Sequence, residues 1–146
     1  MKLEELARTI STECAAVRVR KLNRAVSSIY DDELRPHGLK ISQMHILVMV
    51  ARCGSVTPQK IGEFLIMDKS TMSRSLELMT KNGWLDGTYS EAERLQQVAL
   101  TKDGRKLLKA AGKAWARAQR RVEKLLGESN WASLFRAVET LDHPSR

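Results

Sequence analysis

Apolar side chains recur every three or four residues along most of the chain, and clusters of Pro and Gly divide these repeats into segments. Such spacing predicts amphipathic helices that each bury one face. The first long helix is predicted from Cys14 to Leu34, where Pro36-His37-Gly38 ends it. A short, mostly buried helix is predicted next, with Ser42 as its N-cap and Gly54 as its C-terminal stop. Its predicted apolar stripe is Met44, Leu47, Val48 and Ala51.

Two further short helices are predicted in quick succession. Thr57 supplies a capping hydroxyl directly before Pro58, at the position where a helix tolerates proline best. The buried residues expected on this third helix are Ile61, Phe64 and Leu65. Asp68 is the predicted N-cap of a fourth helix, which ends at Asn82-Gly83. Its expected core face is Met72, Leu76 and Met79.

The second half of the chain predicts a hairpin followed by two helices. Ser55 to Thr57 can add a short strand, and residues 84–89 and 96–100 predict two strands around a polar stretch, with Val98 and Leu100 facing inward. Thr101 then caps a long helix, and Gly127 to Asn130 separates it from the last one. The apolar positions of these two helices are Leu107, Leu108, Ala111, Trp115, Ala118, Val122 and Leu125, then Trp131, Leu134, Phe135, Val138 and Leu141.

Two short helices joined by a tight turn and followed by a hairpin are the elements of a winged helix-turn-helix. The predicted fold class is therefore mainly α with a small β-hairpin wing (α+β). We expect a single domain over residues 1–146, with a winged helix-turn-helix lobe at 40–101. Residues 1–36 and 102–146 are expected to be dimerisation helices, because their apolar side chains exceed what one small core needs.

The charge distribution supports a polyanionic partner but is uneven. The chain has 25 Lys and Arg against 17 Asp and Glu, a net charge of +8. Residues 1–39 and 40–101 each carry 7 basic and 6 acidic side chains, whereas residues 102–146 carry 11 and 5. Most of the positive charge therefore lies outside the predicted DNA-binding lobe, and the basic helix after the hairpin is one candidate source of additional electrostatic attraction.

The N-terminal end of the fourth helix is the predicted reading surface. If its apolar residues face the core, a step of about 100° per residue turns outward Ser70, Arg74, Glu77 and Lys81, and it places Thr71 and Ser73 on the flanks. Arg74 has the geometry to donate two hydrogen bonds to guanine, and the neighbouring hydroxyls can donate or accept. Ordinary solvated side chains are the alternative interpretation. The predicted DNA-binding residues on this helix are Lys69, Ser70, Thr71, Ser73 and Arg74.

Arg94 is the remaining predicted DNA contact. It is the cation of the polar hairpin stretch Ser90 to Arg94. An arginine at a wing tip suits the narrow, strongly negative minor groove of A·T-rich DNA. The alternative is a simple ion pair with Glu91 or Glu93, and the two roles can coexist because surface ion pairs are weak.

The order of these segments resembles the multiple-antibiotic-resistance regulator (MarR) family over almost the whole chain. The matching stretches are LRPHGLKISQMHIL, TPQKIGEFLIMDKSTMSRSLELMTKNGWL and VALTKDGRKLL. The resemblance implies an obligate dimer with intertwined terminal helices, a palindromic double-stranded DNA operator, major-groove contacts by the positions of Ser70, Thr71, Ser73 and Arg74, and a minor-groove contact by Arg94.

The chain departs from this family pattern at the wing. Ala92 stands where the family usually has an aspartate, two residues before the wing arginine, so Glu91 or Glu93 must substitute for it or the wing is looser. Gly87 replaces an arginine often found there and so removes one expected phosphate contact. Since the lobe is also near neutral, its affinity for DNA is expected to be modest and steeply salt-dependent.

The resemblance also implies a small lipophilic or phenolic effector where the predicted first, second and fifth helices meet the DNA-binding lobe. Tyr30, His45 and Trp115 are the candidate contacts, and packing is the alternative for each. Cys14 resembles the sensing thiol of a peroxide-responsive branch, although an inert thiol is favoured because the expected set of tyrosines is missing apart from Tyr30. The histidines and cysteines have no metal-ligand spacing, so neither metal nor cofactor is expected.

Other classes of protein are less consistent with this sequence. Phosphate-binding loops, nucleophile elbows and metal-binding His-Glu helices are all missing, so an enzyme is not expected. The principal alternative is a winged helix that binds protein rather than DNA, and a redox regulator acting through Cys14 is another. The sequence has no apparent membrane span or signal peptide and no disulfide framework, and it predicts a cytoplasmic protein.

Overall fold

The computed structural model describes residues 1–91 and 95–142. Within these ranges the chain forms seven α-helices, a short 3₁₀ helix and three strands. Their bounds are α1 Leu3–Glu13, α2 Ala15–Leu34, the 3₁₀ helix Arg35–His37, α3 Ile41–Cys53, β1 Ser55–Val56, α4 Pro58–Leu65, α5 Lys69–Lys81, β2 Leu85–Ser90, β3 Leu95–Leu100, α6 Lys102–Leu126 and α7 Glu128–Asp142. The predicted fold class is confirmed.

Three of the predicted helix N-termini are confirmed, and each is closed by a side chain close in sequence. The Thr57 hydroxyl accepts a hydrogen bond from the Lys60 amide at 3.3 Å, and the Thr101 hydroxyl accepts one from the Gly104 amide at 3.0 Å. Asp68 caps α5. Such caps satisfy amides that have no partner within the helix.

The prediction of Ser42 as the cap of α3 is wrong. The N-cap residue is Lys40, and the Ile41 amide donates to the Asp31 carboxylate at 2.7 Å. Asp31 lies on α2, ten residues upstream, so one helix caps the next across the 3₁₀ turn. A cap supplied by tertiary contact leaves no local signal in the sequence.

A central core lies between the helices α3, α4, α5 and α6 and the sheet. Its fully buried large side chains include Ile46, Leu47, Ile61 and Met79, and Val98 and Leu100 face inward as predicted. The buried face of α3 differs from the predicted one, since Ile46 and Val50 are buried in place of Val48 and Ala51. Several side chains that were predicted to pack in the core are instead well exposed to solvent. The exposed exceptions include Phe64 at 59%, Leu125 at 60%, Val48 at 39% and Trp115 at 39%, besides Phe135, Val138 and Leu141 on the last helix.

The three strands form one antiparallel sheet in the order β1-β3-β2. Strand β1 pairs Val56 with Val98, and β2 pairs Leu85 with Leu100. The long strands β2 and β3 are the base of the wing, and β1 fastens that wing to the segment between α3 and α4. This sheet therefore holds the hairpin against helices α4 and α5.

The base of the wing packs directly on α6 at one glycine. A Cβ built on Gly104 would lie 2.1 Å from the carbonyl oxygen of Trp84. The Thr101 amide also donates to that carbonyl, at 3.1 Å. Because a side chain at position 104 would collide with backbone rather than with a movable group, only glycine permits this approach.

Helices α2 and α6 are tied together by polar contacts. The Glu33 carboxylate accepts hydrogen bonds from Arg117 at 2.9 Å and Arg121 at 3.0 Å, and these two guanidinium groups lower the pKa of Glu33. The Tyr30 hydroxyl on α2 donates to Gln119 on α6. These contacts fix α6 beside α2.

The two terminal helices bury no side chain completely within the chain. Helix α1 is separated from α2 by Cys14, whose extended backbone (φ −65°, ψ 116°) breaks the helix. The sequence placed one helix from residue 14 onward, so α1 is an addition to the predicted fold. At the other end, α7 begins at Glu128, directly after Gly127 rather than after a four-residue linker. None of the described helices has the length and apolar character needed to cross a membrane.

Candidate nucleic-acid interface

Helices α4 and α5 form a helix-turn-helix with a very short turn. Helix α4 ends at Leu65, and its C-cap residue Ile66 adopts a left-handed backbone (φ 54°) and donates its amide to the Gly62 carbonyl oxygen. Two residues later Asp68 starts α5. Packing of Ile61 and Met72 in the common core sets the two helices against each other, with α5 presenting its other face outward.

Asp68 organises the N-terminus of α5. Its carboxylate accepts hydrogen bonds from the Thr71 hydroxyl at 2.6 Å, the Thr71 amide at 2.8 Å and the Ser70 hydroxyl at 3.0 Å. These hydrogen bonds stabilise the ionised carboxylate and lower the pKa of Asp68 to about 2, with the Thr71 hydroxyl as the largest contributor. The residue is therefore a carboxylate at neutral pH.

This arrangement fixes the hydrogen-bonding polarity of the two hydroxyls. A serine or threonine hydroxyl has one hydrogen and two lone pairs. Since both hydrogens point at Asp68, Ser70 and Thr71 present lone pairs outward and can accept from the amino groups of adenine or cytosine. The sequence indicated Asp68 only as a cap. The signal in the sequence for this arrangement was the presence of two hydroxyl residues, Ser70 and Thr71, within three residues of the capping Asp68.

The predicted reading residues lie on the first turns of α5, with Ser70 and Arg74 on its outer face and Lys69, Thr71 and Ser73 on its flanks. Lys69, Ser70, Ser73 and Arg74 are exposed, and Thr71 is half-buried beside them. Met72 and Met79 are buried on the opposite face, with exposures of 3% and 0%. The described face therefore combines a fork-shaped donor, an ammonium group and hydroxyl acceptors, which is a set able to contact base edges and phosphates.

The C-terminal end of α5 is attached to the wing and to α6. The Thr101 hydroxyl lies 2.6 Å from the Gly83 carbonyl oxygen, which follows α5 directly. Strands β2 and β3 then project from this junction toward the hairpin tip. Arg94, the predicted wing contact, lies outside the described residues, as do Ala92 and Glu93.

The three predicted effector contacts lie on three different helices, α2, α3 and α6. The Tyr30 hydroxyl donates a hydrogen bond to Gln119, and partial burial raises the pKa of Tyr30. His45 lies on the outer side of α3, where the protein around its ring lowers its pKa by desolvating the charged form. Two clefts, of about 690 Å³ between α4 and α5 and about 470 Å³ beside the 3₁₀ helix, are lined by neither of these residues nor by Trp115.

Cys14 is half-buried at the break between α1 and α2. The Arg18 guanidinium donates to the Cys14 carbonyl oxygen at 3.4 Å and to the Thr12 carbonyl, so it engages backbone at the end of α1. These contacts do not test the redox hypothesis, which stays a prediction from the sequence. Cys53 is exposed at the end of α3.

A helix-turn-helix backed by a three-stranded antiparallel sheet defines a winged helix-turn-helix protein. The sequence pattern of the MarR family matches residues 37–94, from the 3₁₀ helix to the hairpin. Over these residues, which are less than half of its length, the chain is similar to the MarR family. This confirms the family resemblance found in the sequence.

Individual relatives agree with this similarity. The uncharacterized HTH-type transcriptional regulator YwoH of Bacillus subtilis is 29% identical over 83 residues, which are 57% of this chain and 61% of YwoH. The matched segment thus spans less than two thirds of that relative. The M. tuberculosis transcriptional regulator MosR is 26% identical, with a TM-score of 0.77 over 90% of this chain and 94% of MosR.

MosR has also been solved in complex with DNA. That structure is 27% identical to this chain and has a TM-score of 0.76 over 88% of this chain and 93% of MosR. Bordetella bronchiseptica BpsR, whose DNA binding is regulated by 6-hydroxynicotinic acid, shares the fold, with a TM-score of 0.80 at 16% identity over 92% of this chain and 96% of BpsR. YwoH and MosR are described as transcriptional regulators, in agreement with the expectation that the chain is not an enzyme.

Proposed function

We propose that this protein regulates transcription by binding a palindromic DNA operator as a homodimer. The observation that carries the proposal is the outer face of α5, where Asp68 orders the Ser70 and Thr71 hydroxyls beside exposed Arg74. In this arrangement α5 enters the major groove, Arg74 donates to guanine, and the hydroxyls accept from neighbouring amino groups. Lys69 and Ser73 contribute phosphate contacts.

The wing contact is a second part of the proposal. Arg94 is placed on the hairpin by sequence alone, and the strands leading to it are fastened to the HTH lobe by β1. We assign it to the minor groove beside the base pairs that α5 reads, because a narrow groove concentrates negative potential.

Dimerisation is the third part. Large apolar side chains on α1 and α7 remain exposed in the single chain, including Leu3 at 80%, Ile10 at 54%, Phe135 at 51% and Leu141 at 75%. Leaving so much apolar surface in water is unfavourable, and a second copy with the same helices covers it by symmetry. We therefore propose that the helices of residues 1–36 and 102–146 dimerise through their exposed apolar faces, which leaves their charged faces in solvent, and that residues 40–101 are the DNA-binding lobe.

Selection from a random duplex library tests the proposal. Bound DNA should be enriched in two inverted half-sites whose centres lie about 10–10.5 base pairs, or a multiple of that, apart. Binding to the selected DNA should weaken steeply as salt rises. A protein-interaction module would enrich no sequence and show no salt-sensitive, sequence-preferring binding.

Response to a small lipophilic or phenolic effector is a separate proposal. Tyr30 is its most informative residue, because its hydrogen bond to Gln119 joins α2 to α6 and a phenol bound there would compete for that contact. A panel of phenols screened by thermal shift and by release of operator DNA tests it. Compounds that release DNA from the wild type and that bind Tyr30→Phe more tightly than the wild type support the assignment, because this variant leaves Gln119 free for the ligand, and a panel that binds neither protein contradicts it.

A further inference from the structure

Helix α6 carries nine cationic residues, and they follow one face along its entire length. At about 100° per residue, all nine fall within about 160° of the helix circumference. The opposite side is the buried one, formed by Ala111, Ala114, Ala118 and Val122. The nine are Lys102, Arg105, Lys106, Lys109, Lys113, Arg117, Arg120, Arg121 and Lys124.

Two of these cations have a structural explanation and seven do not. Arg117 and Arg121 pair with Glu33 and hold α6 against α2. The other seven are exposed, and among residues 1–91 and 95–142 none of them forms an ion pair. They occupy an arc of about 100°, and the acidic residues Asp103 and Glu123 lie at or beyond its edges. We call these seven residues the α6 stripe: Lys102, Arg105, Lys106, Lys109, Lys113, Arg120 and Lys124.

Like charges placed at neighbouring positions of one helix face repel each other. An exposed stripe of this kind therefore costs some helix stability unless a polyanion neutralises it. From Lys102 to Lys124 the stripe is about 33 Å long, close to one turn of B-form DNA, about 34 Å. Its length and charge thus fit a run of backbone phosphates.

The DNA-binding lobe has little cationic charge of its own. Residues 40–101 carry 7 basic and 6 acidic side chains, whereas α6 alone carries nine basic and two acidic ones. The stripe also begins at the base of the wing, since Thr101, directly before Lys102, is hydrogen bonded to the residues that follow α5. The positive charge of α6 is therefore connected to the DNA-binding lobe through the hydrogen-bonded junction at Thr101.

We propose that the α6 stripe is a second DNA-binding surface, which contacts the phosphates of duplex outside the base pairs read by α5. This inference rests on the proposed operator binding and extends it to flanking DNA. An anionic membrane fits the stripe less well, because a helix lying in a membrane surface inserts its apolar face, and here that face is buried in the protein. The contact carries no base specificity, so it raises affinity for any sequence flanking the operator.

The test compares two duplexes, a minimal operator of about 20 base pairs and the same operator centred in about 60 base pairs, at several salt concentrations. The test variant is the triple Lys106→Gln, Lys109→Gln, Lys113→Gln. Its matched control removes three exposed cations from α2 through Arg20→Gln, Lys21→Gln and Arg24→Gln. Both variants have the same net charge, so a difference between them reports where the charge lies.

We expect the α6 triple to bind the minimal operator like the wild type. On the long duplex, the slope of log affinity against log salt should fall by about 0.9 for each lost phosphate contact, and so by up to about 3 per protomer. The α2 control should keep the wild-type slope on both duplexes. Binding of the minimal operator by the wild type tests the proposed function, and the comparison with the long duplex tests the α6 stripe. A negative result for the stripe can therefore be told apart from a negative result for the proposed function.

Three results would overturn the inference. One is a wild-type slope that is the same on short and long duplexes. Another is an equal loss of slope in the α2 control, which would make net charge rather than the stripe the cause. The last is an unchanged DNA slope together with loss of binding to phosphatidylserine vesicles, which would make lipid the occupant of the stripe.

Discussion

Arg74 is the one forked donor among the predicted reading residues of α5, and its contribution to DNA binding is separable from the fold because its side chain is exposed. Replacing it with alanine should weaken operator binding by about 1–3 kcal/mol per half-site and relax the preference at one base pair. The measurement is a titration of operator variants at one fixed salt concentration. The melting temperature should stay at the wild-type value, and unchanged affinity for every variant would remove α5 from the DNA surface.

Arg94→Ala should have a different signature. A minor-groove arginine responds to groove width and potential, so its loss should lower affinity more uniformly and reduce the preference for A·T-rich flanks. Competition between A·T-rich and G·C-rich flanks, at the salt concentration used for Arg74→Ala, measures the effect. If the alanine variant keeps the wild-type flank preference, the wing arginine is not a minor-groove contact.

Asp68 gives a prediction about pH. Its pKa is lowered to about 2, so the carboxylate stabilises the folded protein above the ordinary carboxyl pKa and loses that effect as pH falls through about 2. Asp68→Ala should lower the Tm by ~2–4 °C at neutral pH, and this difference should shrink below pH ~4. Asp68→Asn is the control, because an amide caps without titrating. Its advantage over alanine should not change with pH.

Local signals predicted the elements well where the interaction is also local. Thr57 and Asp68 cap the helices that follow them directly, and the alternation in residues 96–100 predicted which side chains face inward. Prediction failed where a distant group intervened, as with Asp31 capping α3. It also failed for Phe64, because a helix of eight residues presents too few turns to fix its buried face from periodicity.

The junction between the wing and α6 predicts that replacing glycine with alanine changes the stability of the protein in opposite directions at two positions of α6. Gly104→Ala should destabilise the protein by roughly 1–3 kcal/mol, because the new methyl group meets the Trp84 carbonyl oxygen. Gly112→Ala lies in the same helix, and nothing in the described structure stands within 4 Å of the added methyl group. It should stabilise by about 0.5–1 kcal/mol.

Urea denaturation at one protein concentration measures both changes as shifts of the midpoint. The Gly112 variant reports helix propensity alone, so the difference between the two isolates the collision. Equal stabilisation by both substitutions would show that the wing base and α6 do not pack as closely as described.

At the scale of the whole molecule, the exposed apolar surface of α7 predicts an obligate pair of chains. Phe135→Glu should convert a dimer into a monomer in sedimentation at micromolar concentration, because it places a carboxylate in the proposed interface. Phe64→Glu is the matched control, since Phe64 is similarly exposed but lies on α4, and this variant should remain dimeric. A stable, folded wild-type monomer under the same conditions contradicts the prediction.

The separation of α1 from α2 at Cys14 bears on how the protein is made. Among the described helices α1 is synthesised first and α7 last, and neither buries a side chain completely within its own chain. If the chains pair as proposed, a newly synthesised copy exposes these two apolar helices until it meets another copy, and during that interval proteases and chaperones compete for it. Because the proposed pairing depends on the square of the chain concentration, the amount of paired protein would then rise more steeply than the rate of its synthesis.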